Sequence, residues 1–362
     1  MSRTLASTAD TAPETALIPG PTITKRGLPL HAIVSASTGA VPWLIIGGLL
    51  WAGLFIKPQP TGSTVQPPAM EQRDHYYGLA AQSGGAVWAA GSNGKILAIE
   101  RDGLVVPFDV PTTHTLQDIA SWDDSHAVAV GNDSVVLYTA DGGHSWRTSA
   151  LVPRSEVANK LNRVRVAADG VALATGEMGA LLISRDYGVQ WSRLRPEEDV
   201  AWNDVALLDN ERLRAVGEFG RILVSDDGGS SWLDIPSPVQ SSLMALVFKD
   251  AATGVAVGLE GTVLITRDGG QNWQRIELGS QDHLFDIAWD SAHERWIGTG
   301  SLGRWISAGA DGRNWRTGRL DERDLSWHTR VVPTSDLVWF AGANVGRWDG
   351  ERWMPLKGES RR

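Results

Sequence analysis

Cysteine is absent from the 362 residues. That excludes a disulfide framework, thiolate metal ligands, a thiol nucleophile and a cysteine-borne lipid anchor. Tyrosine and phenylalanine are scarce, at four and six. Basic side chains are the minority charge, 33 against 42 acidic. Residues 1–57 hold four basic and two acidic groups, leaving 29 against 40 in the remainder, a net −11. An acidic main domain is a poor match to nucleic acid, whose binding needs clustered Lys and Arg. Beyond residue 57 no 3.6-residue apolar period is visible, so helices are expected to be nearly absent there. Abundance lies elsewhere, in 17 Trp and 40 Gly.

Residues 32–56 carry no charge and end in a dense apolar run at 41–56. As a helix this stretch would rise about 37 Å, enough to cross a bilayer with some tilt. A cleaved signal peptide would have a shorter leader, a shorter apolar core and a small-residue cleavage site. The expectation is therefore an uncleaved single-pass anchor at 31–56. A disordered cytoplasmic tail is expected at 1–30 and a Pro- and Gly-rich linker at 57–73. Lys25 and Arg26 precede the run, whereas Lys57 alone follows it. The positive-inside tendency then keeps the N-terminus cytoplasmic and exports the rest, which in a bacterium means an inner-membrane protein with a periplasmic domain.

The remainder repeats. A glycine preceded by small or apolar residues recurs as Gly91, Gly131, Gly176, Gly217, Gly258, Gly300 and Gly342, at steps of 40 to 45. Each of the first six is followed by a short turn and a strand-like run, at 95–99, 135–139, 181–184, 221–225, 262–266 and 304–307. A period near 42 residues built of short strands and turns marks a propeller blade of four strands. Seven copies predict an all-β, seven-bladed propeller over 74–357, preceded by a single N-terminal transmembrane helix.

The most specific local motif is Ser/Thr-x-Asp-x-Gly-x-x-Trp. It occurs at 139–146, 184–191, 225–232 and 266–273, with Asp141 and Trp146, Asp186 and Trp191, Asp227 and Trp232, and Asp268 and Trp273 at its fixed positions. The carboxylate can bond turn amides, the glycine can take positive φ, and the indole supplies an apolar plug. The sixth and seventh copies place Asp311 and Asp349 four residues before Trp315 and Trp353, and the first keeps only Asp102 and Gly103.

This turn resembles the Asp box of sialidases, sortilin-type receptors and related propellers. Across roughly 74–357 the fuller pattern is similar to the photosystem II stability/assembly factor family and its bacterial relatives, best at 217–232 and 258–273. The resemblance implies a seven-bladed propeller that assists assembly of a membrane complex. The N-terminal anchor departs from that pattern.

Chemistry finds little support. The eight His show no metal-ligand spacing, so no metal and no cofactor is expected. The alternative, a glycan-binding or sialidase-like propeller, needs a Tyr nucleophile, a partner Glu and an arginine cluster. Tyr138 and Tyr187 fall in a third strand and an Asp box, Tyr76 and Tyr77 open the first blade, and the Phe/Tyr-Arg-Ile-Pro signature is absent. No enzyme and no small-molecule substrate is expected. Function then falls to loops on one face. The turns after the recurring glycines carry Glu177 and Met178, Glu218 and Phe219, Leu259 and Glu260, and Ser301 and Leu302. Arg221 and Arg304 follow two of them. Apolar tips among charges are the pattern of a protein-docking face. The expected role is an assembly or accessory subunit of an inner-membrane or envelope complex, a large exporter being one client class.

Overall fold

A computed structural model describes residues 30–55, 68–209 and 211–358. Contacts divide the chain into two units, 1–66 and 67–362. In the first, a helix spans Leu30–Phe55, 26 residues with Pro42 inside it. Its described side chains are those of residues 41–54, including the exposed Trp43, Leu44, Leu49 and Leu54. Among the described residues no helix is long and apolar enough to cross a membrane. The described side chains cover fewer positions than the ~20 a span requires. The expected tail at 1–30, except Leu30 at the start of the helix, and most of the linker at 57–73 lie outside the described residues.

The second unit holds seven antiparallel sheets of four consecutive strands each. The first strands are Tyr76–Ala81, Leu116–Ser121, Leu161–Val166, Trp202–Leu207, Leu243–Phe248, Leu284–Asp290 and His328–Pro333. Each packs against the first strand of the next sheet, and the seventh packs against the first. The sheets are therefore the blades of a closed seven-bladed propeller, with these strands innermost. The second strands, such as Val87–Gly91 and Ala127–Gly131, are buried at every position, apart from Arg295 at the start of the sixth. A blade has a neighbour on both faces, so such strands read as continuous apolar runs rather than alternating ones.

Seven hydrophobic clusters fill the seven junctions between blades. Trp146 closes the junction of blades one and two, Trp191 that of two and three, and Trp273 that of four and five. Trp232 and Trp315 pack against the clusters of blades three–four and five–six, and Trp353 completes that of six and seven. Each Asp-box or Asp-box-like Trp thus plugs the gap to the preceding blade. Blade one has no such Trp. Its junction with blade seven is filled by Met70, with Ala69 and Leu356 beside it, so the chain entering and leaving the ring does the plugging.

The recurring glycines have a reason the repeat alone did not reveal. Their φ values are extended, −172° at Gly91 and −164° at Gly131. A Cβ on Gly91, Gly131 or Gly258 would lie within 2.1–2.3 Å of a carbonyl oxygen in the loop feeding the innermost strand. Close approach selects glycine there, and the positive-φ residues come two and three positions later.

Candidate functional site

In every blade the pairing of first and second strands slips near the start of the first strand and the end of the second, a β-bulge. Bulges re-aim side chains. The residue at each slip is Tyr77, Gln117, Asn162, Asn203, Met244, Phe285 or Thr329, and all seven line one cavity of about 300 Å³ at the mouth of the central channel. Lys160, Arg163 and Arg330 complete it. The mouth is two-sided: Met244, Phe285 and Tyr77 come from blades five, six and one, and three carboxamides come from blades two to four. Trp327 stacks on Tyr77 with ring centroids 5.8 Å apart.

One residue deeper the seven blades present Gly78, Asp118, Arg163, Asp204, Ala245, Asp286 and Arg330. The three carboxylates each accept from a main-chain amide of the following blade. Asp118 takes Val164 N–H at 3.0 Å, Asp204 takes Leu246 N–H at 2.9 Å and Asp286 takes Val331 N–H at 2.9 Å. Blades two, four and six are thereby pinned to three, five and seven. Three guanidiniums balance the charge. Arg165 grips Asp204 through Nε at 3.0 Å and Nη2 at 2.6 Å, Arg163 donates to Asp286 at 3.0 Å, and Arg330 donates to Asp118 at 2.8 Å. Burial alone would push the Asp204 carboxyl up, but Arg163 and Arg165 override it and hold the group below the usual carboxylate range. Burial pulls Arg163 down, whereas Asp204 and Asp286 outweigh burial at Arg165 and raise it. The belt is neutral and internally satisfied apart from Arg163 Nε.

The turns singled out in the sequence surround this mouth, because second strands end where innermost strands begin. Their tips are left-handed: Met178, Phe219, Glu260 and Leu302 have φ of 51°, 57°, 58° and 55°, each followed by a glycine at positive φ. Two successive positive φ values make the hairpin turn that favours Asn or Asp at its first position. Blades one and two conform, with Asn93 and Asp133. A bulky L-residue there costs roughly 1–2 kcal/mol. Phe219 nonetheless stands 70% exposed and Leu302 39% exposed, while Met178 and Leu259 are half-buried and Glu260 is exposed. The loops packed against these turns add the exposed tips Val157 and Leu325.

Several expected contact residues hold internal posts. Glu177 accepts from Lys160 N–H at 3.1 Å and Glu218 from Ala201 N–H at 2.8 Å, fastening the preceding innermost strand. Arg221 pairs with Glu198 and, at 2.7 Å, with Asp234, and lies 5.0 Å from the Trp202 ring. Arg304 pairs with Asp282.

The four Asp boxes sit at the opposite end of the blades. In each, the Ser or Thr hydroxyl donates to the Asp at 2.8 Å. The same hydroxyl accepts a glycine N–H, and the Asp accepts the amide four residues on. Trp191, Trp232 and Trp273 donate Nε1–H to the glycine carbonyl at 3.0–3.1 Å, while Trp146 Nε1 has no partner. The hydroxyls of Ser145 and Ser231 hold Asp141 and Asp227 down to about 2. The Ser or Thr hydroxyl, the Asp carboxylate and the glycine N–H of each motif thus serve its own hairpin.

Among the described residues no group of three or more His, Asp or Glu could hold a metal ion. Tyr76 is fully buried, its phenol pushed well up by burial and by Asp74. Tyr77 alone of the four tyrosines lines the mouth. The sequence carries part of the belt's signal: aligning the repeats on the glycines puts Asp118, Arg163 and Asp204 at one register inside apolar strands, while Asp286 and Arg330 fall one residue to either side of it.

Fold and site together define a seven-bladed propeller with a neutral charge belt beneath its channel mouth and turn tips around that mouth. Residues 105–235, from the outer strand of blade one to that of blade four, match the family model described as photosynthesis system II assembly factor YCF48. The resemblance read from the repeats is thus shown. Among solved structures, YCF48 bound to a D1 peptide is similar with a TM-score of 0.61 at 16% identity, covering 75% of this chain and 91% of that one. YCF48 from Cyanidioschyzon merolae is similar with a TM-score of 0.59 at 15% identity, covering 75% and 93%. At such identities the likeness carries the fold. No curated protein sequence matches the chain.

Proposed function

We propose that this chain is a protein-binding propeller of the assembly-factor kind, anchored in a bacterial inner membrane with the propeller exported, and serving a membrane complex as an accessory subunit. The observation that carries the binding role is the set of bulky apolar residues kept in left-handed turn tips around the channel mouth, Phe219 and Leu302 above all. Strain retained at an exposed position points to a use outside the fold. The YCF48 relative with a bound D1 peptide supports a polypeptide partner. The anchor is supported by a 26-residue helix without Asp, Glu, Lys or Arg, whose described apolar side chains other than Ala52 are exposed. An exporter is one complex that such a subunit could serve.

The test is recovery of partners from membranes in mild detergent through a C-terminal tag. Phe219→Ser with Leu302→Ser should lower recovery at least tenfold, about 1.4 kcal/mol, with an unchanged melting temperature. Equal recovery by the variant and the parent would remove the docking face. Release of the chain from membranes by alkaline carbonate would remove the anchor.

A further inference from the structure

The geometry points to the channel mouth as a subsite for an extended peptide bearing one carboxylate beside an apolar side chain. This deepens the protein-binding reading and rests on it. The argument starts from charge. Arg163 and Arg330 line the cavity but are balanced by Asp204, Asp286 and Asp118. Lys160 also lines it, and its ammonium has no ion pair or hydrogen bond among the described residues. Glu177, in the turn of the same blade, accepts the main-chain N–H of Lys160 and makes no ion pair with its ammonium. The mouth therefore presents one ammonium without an ion pair over a neutral floor, and a single carboxylate complements it.

The carboxamides narrow the ligand further. Gln117 donates Nε2–H to Asn132 and Asn203 donates Nδ2–H to the Leu243 carbonyl, at 3.0 and 2.8 Å. Their carbonyl oxygens accept no hydrogen bond among the described residues and remain free as acceptors. The Asn162 side chain has no partner among the described residues. A ligand with spaced N–H donors satisfies this array, as a peptide main chain does, whereas a bare carboxylic acid leaves the acceptors unmet. Facing them, Tyr77, Met244 and Phe285 offer an apolar wall for a neighbouring side chain. Methionine and aromatic walls accept varied apolar shapes. The mouth opens among the exposed tips Phe219, Leu302 and Leu325, so a segment seated in it runs out across the docking face.

The probe is a set of amide-capped pentapeptide pools. The central residue is fixed in turn as Asp, Glu, Asn, Gln or Lys, and the flanking positions are an equal mixture of Leu, Phe, Val and Ala. Each pool is passed over the immobilised full-length chain. The Asp and Glu pools should be retained at least fivefold over the Asn and Gln pools, with the Lys pool lowest. Lys160→Gln should abolish that preference and Lys160→Arg should restore it, with all three proteins melting alike. Retention independent of the central residue, acidic preference surviving in Lys160→Gln, or no retained pool would each overturn the subsite. Partner recovery that still depends on Phe219 and Leu302 would, in that event, leave the docking face standing.

Discussion

Replacing Asp204 by Ala perturbs the charge belt at its most connected point. The carboxylate is fully buried and accepts from Arg165 twice, from Leu246 N–H in the next blade and from Val205 N–H. Its loss leaves Arg163 and Arg165 facing Asp286 alone. Breaking a buried ion pair by removing one partner costs about 3–5 kcal/mol. Arg165 keeps a third of its side chain in solvent, so water recovers part of its charge and about 3 kcal/mol is expected. At roughly 2 °C per kcal/mol for a domain of this size, the melting temperature should fall by about 6 °C. Asp234→Ala is the control, since it removes an exposed partner of Arg221 and should cost under about 1 kcal/mol. The pH dependence follows from the direction of the shift. A carboxyl held below its unfolded value stabilises the fold above that value, about 4, and the contribution is lost as pH falls through the folded value. Stability should therefore fall more steeply below about pH 4 for the parent than for Asp204→Asn. Equal costs for Asp204→Ala and Asp234→Ala, or parallel acid profiles, would refute the view that the belt pins the blades.

Phe219→Asn should relieve the left-handed turn tip, raising stability by about 0.5–1 kcal/mol while weakening partner recovery; a lower melting temperature would show that the ring packs inward. Trp191→Phe removes a hydrogen bond to Gly188, whereas Trp146→Phe removes none, because its Nε1 has no partner. Trp191→Phe should therefore be the more destabilising by about 1 kcal/mol in chemical denaturation, and the reverse order would contradict the Asp-box geometry.

The blade count, the strand order within blades and the Asp boxes followed from the sequence by itself, because each is local. A glycine, a two-residue turn, a short apolar strand and an Asp hairpin lie within some 20 residues of one another, and the 40-to-45-residue period repeats them. The apolar character of Phe219 and Leu302 was equally readable. Their exposure was not, since a turn residue can fold inward or stand out, and the packing of the neighbouring loops decides which. The posts held by Glu177, Glu218, Arg221 and Arg304 were also hidden, because their partners belong to adjacent loops and strands. The belt is the clearest case. Asp118 and Arg330 are 212 residues apart and Arg163 and Asp286 are 123 apart. Only closure of the ring brings them together, and only a β-bulge at one register in every blade turns seven unremarkable positions into a single mouth.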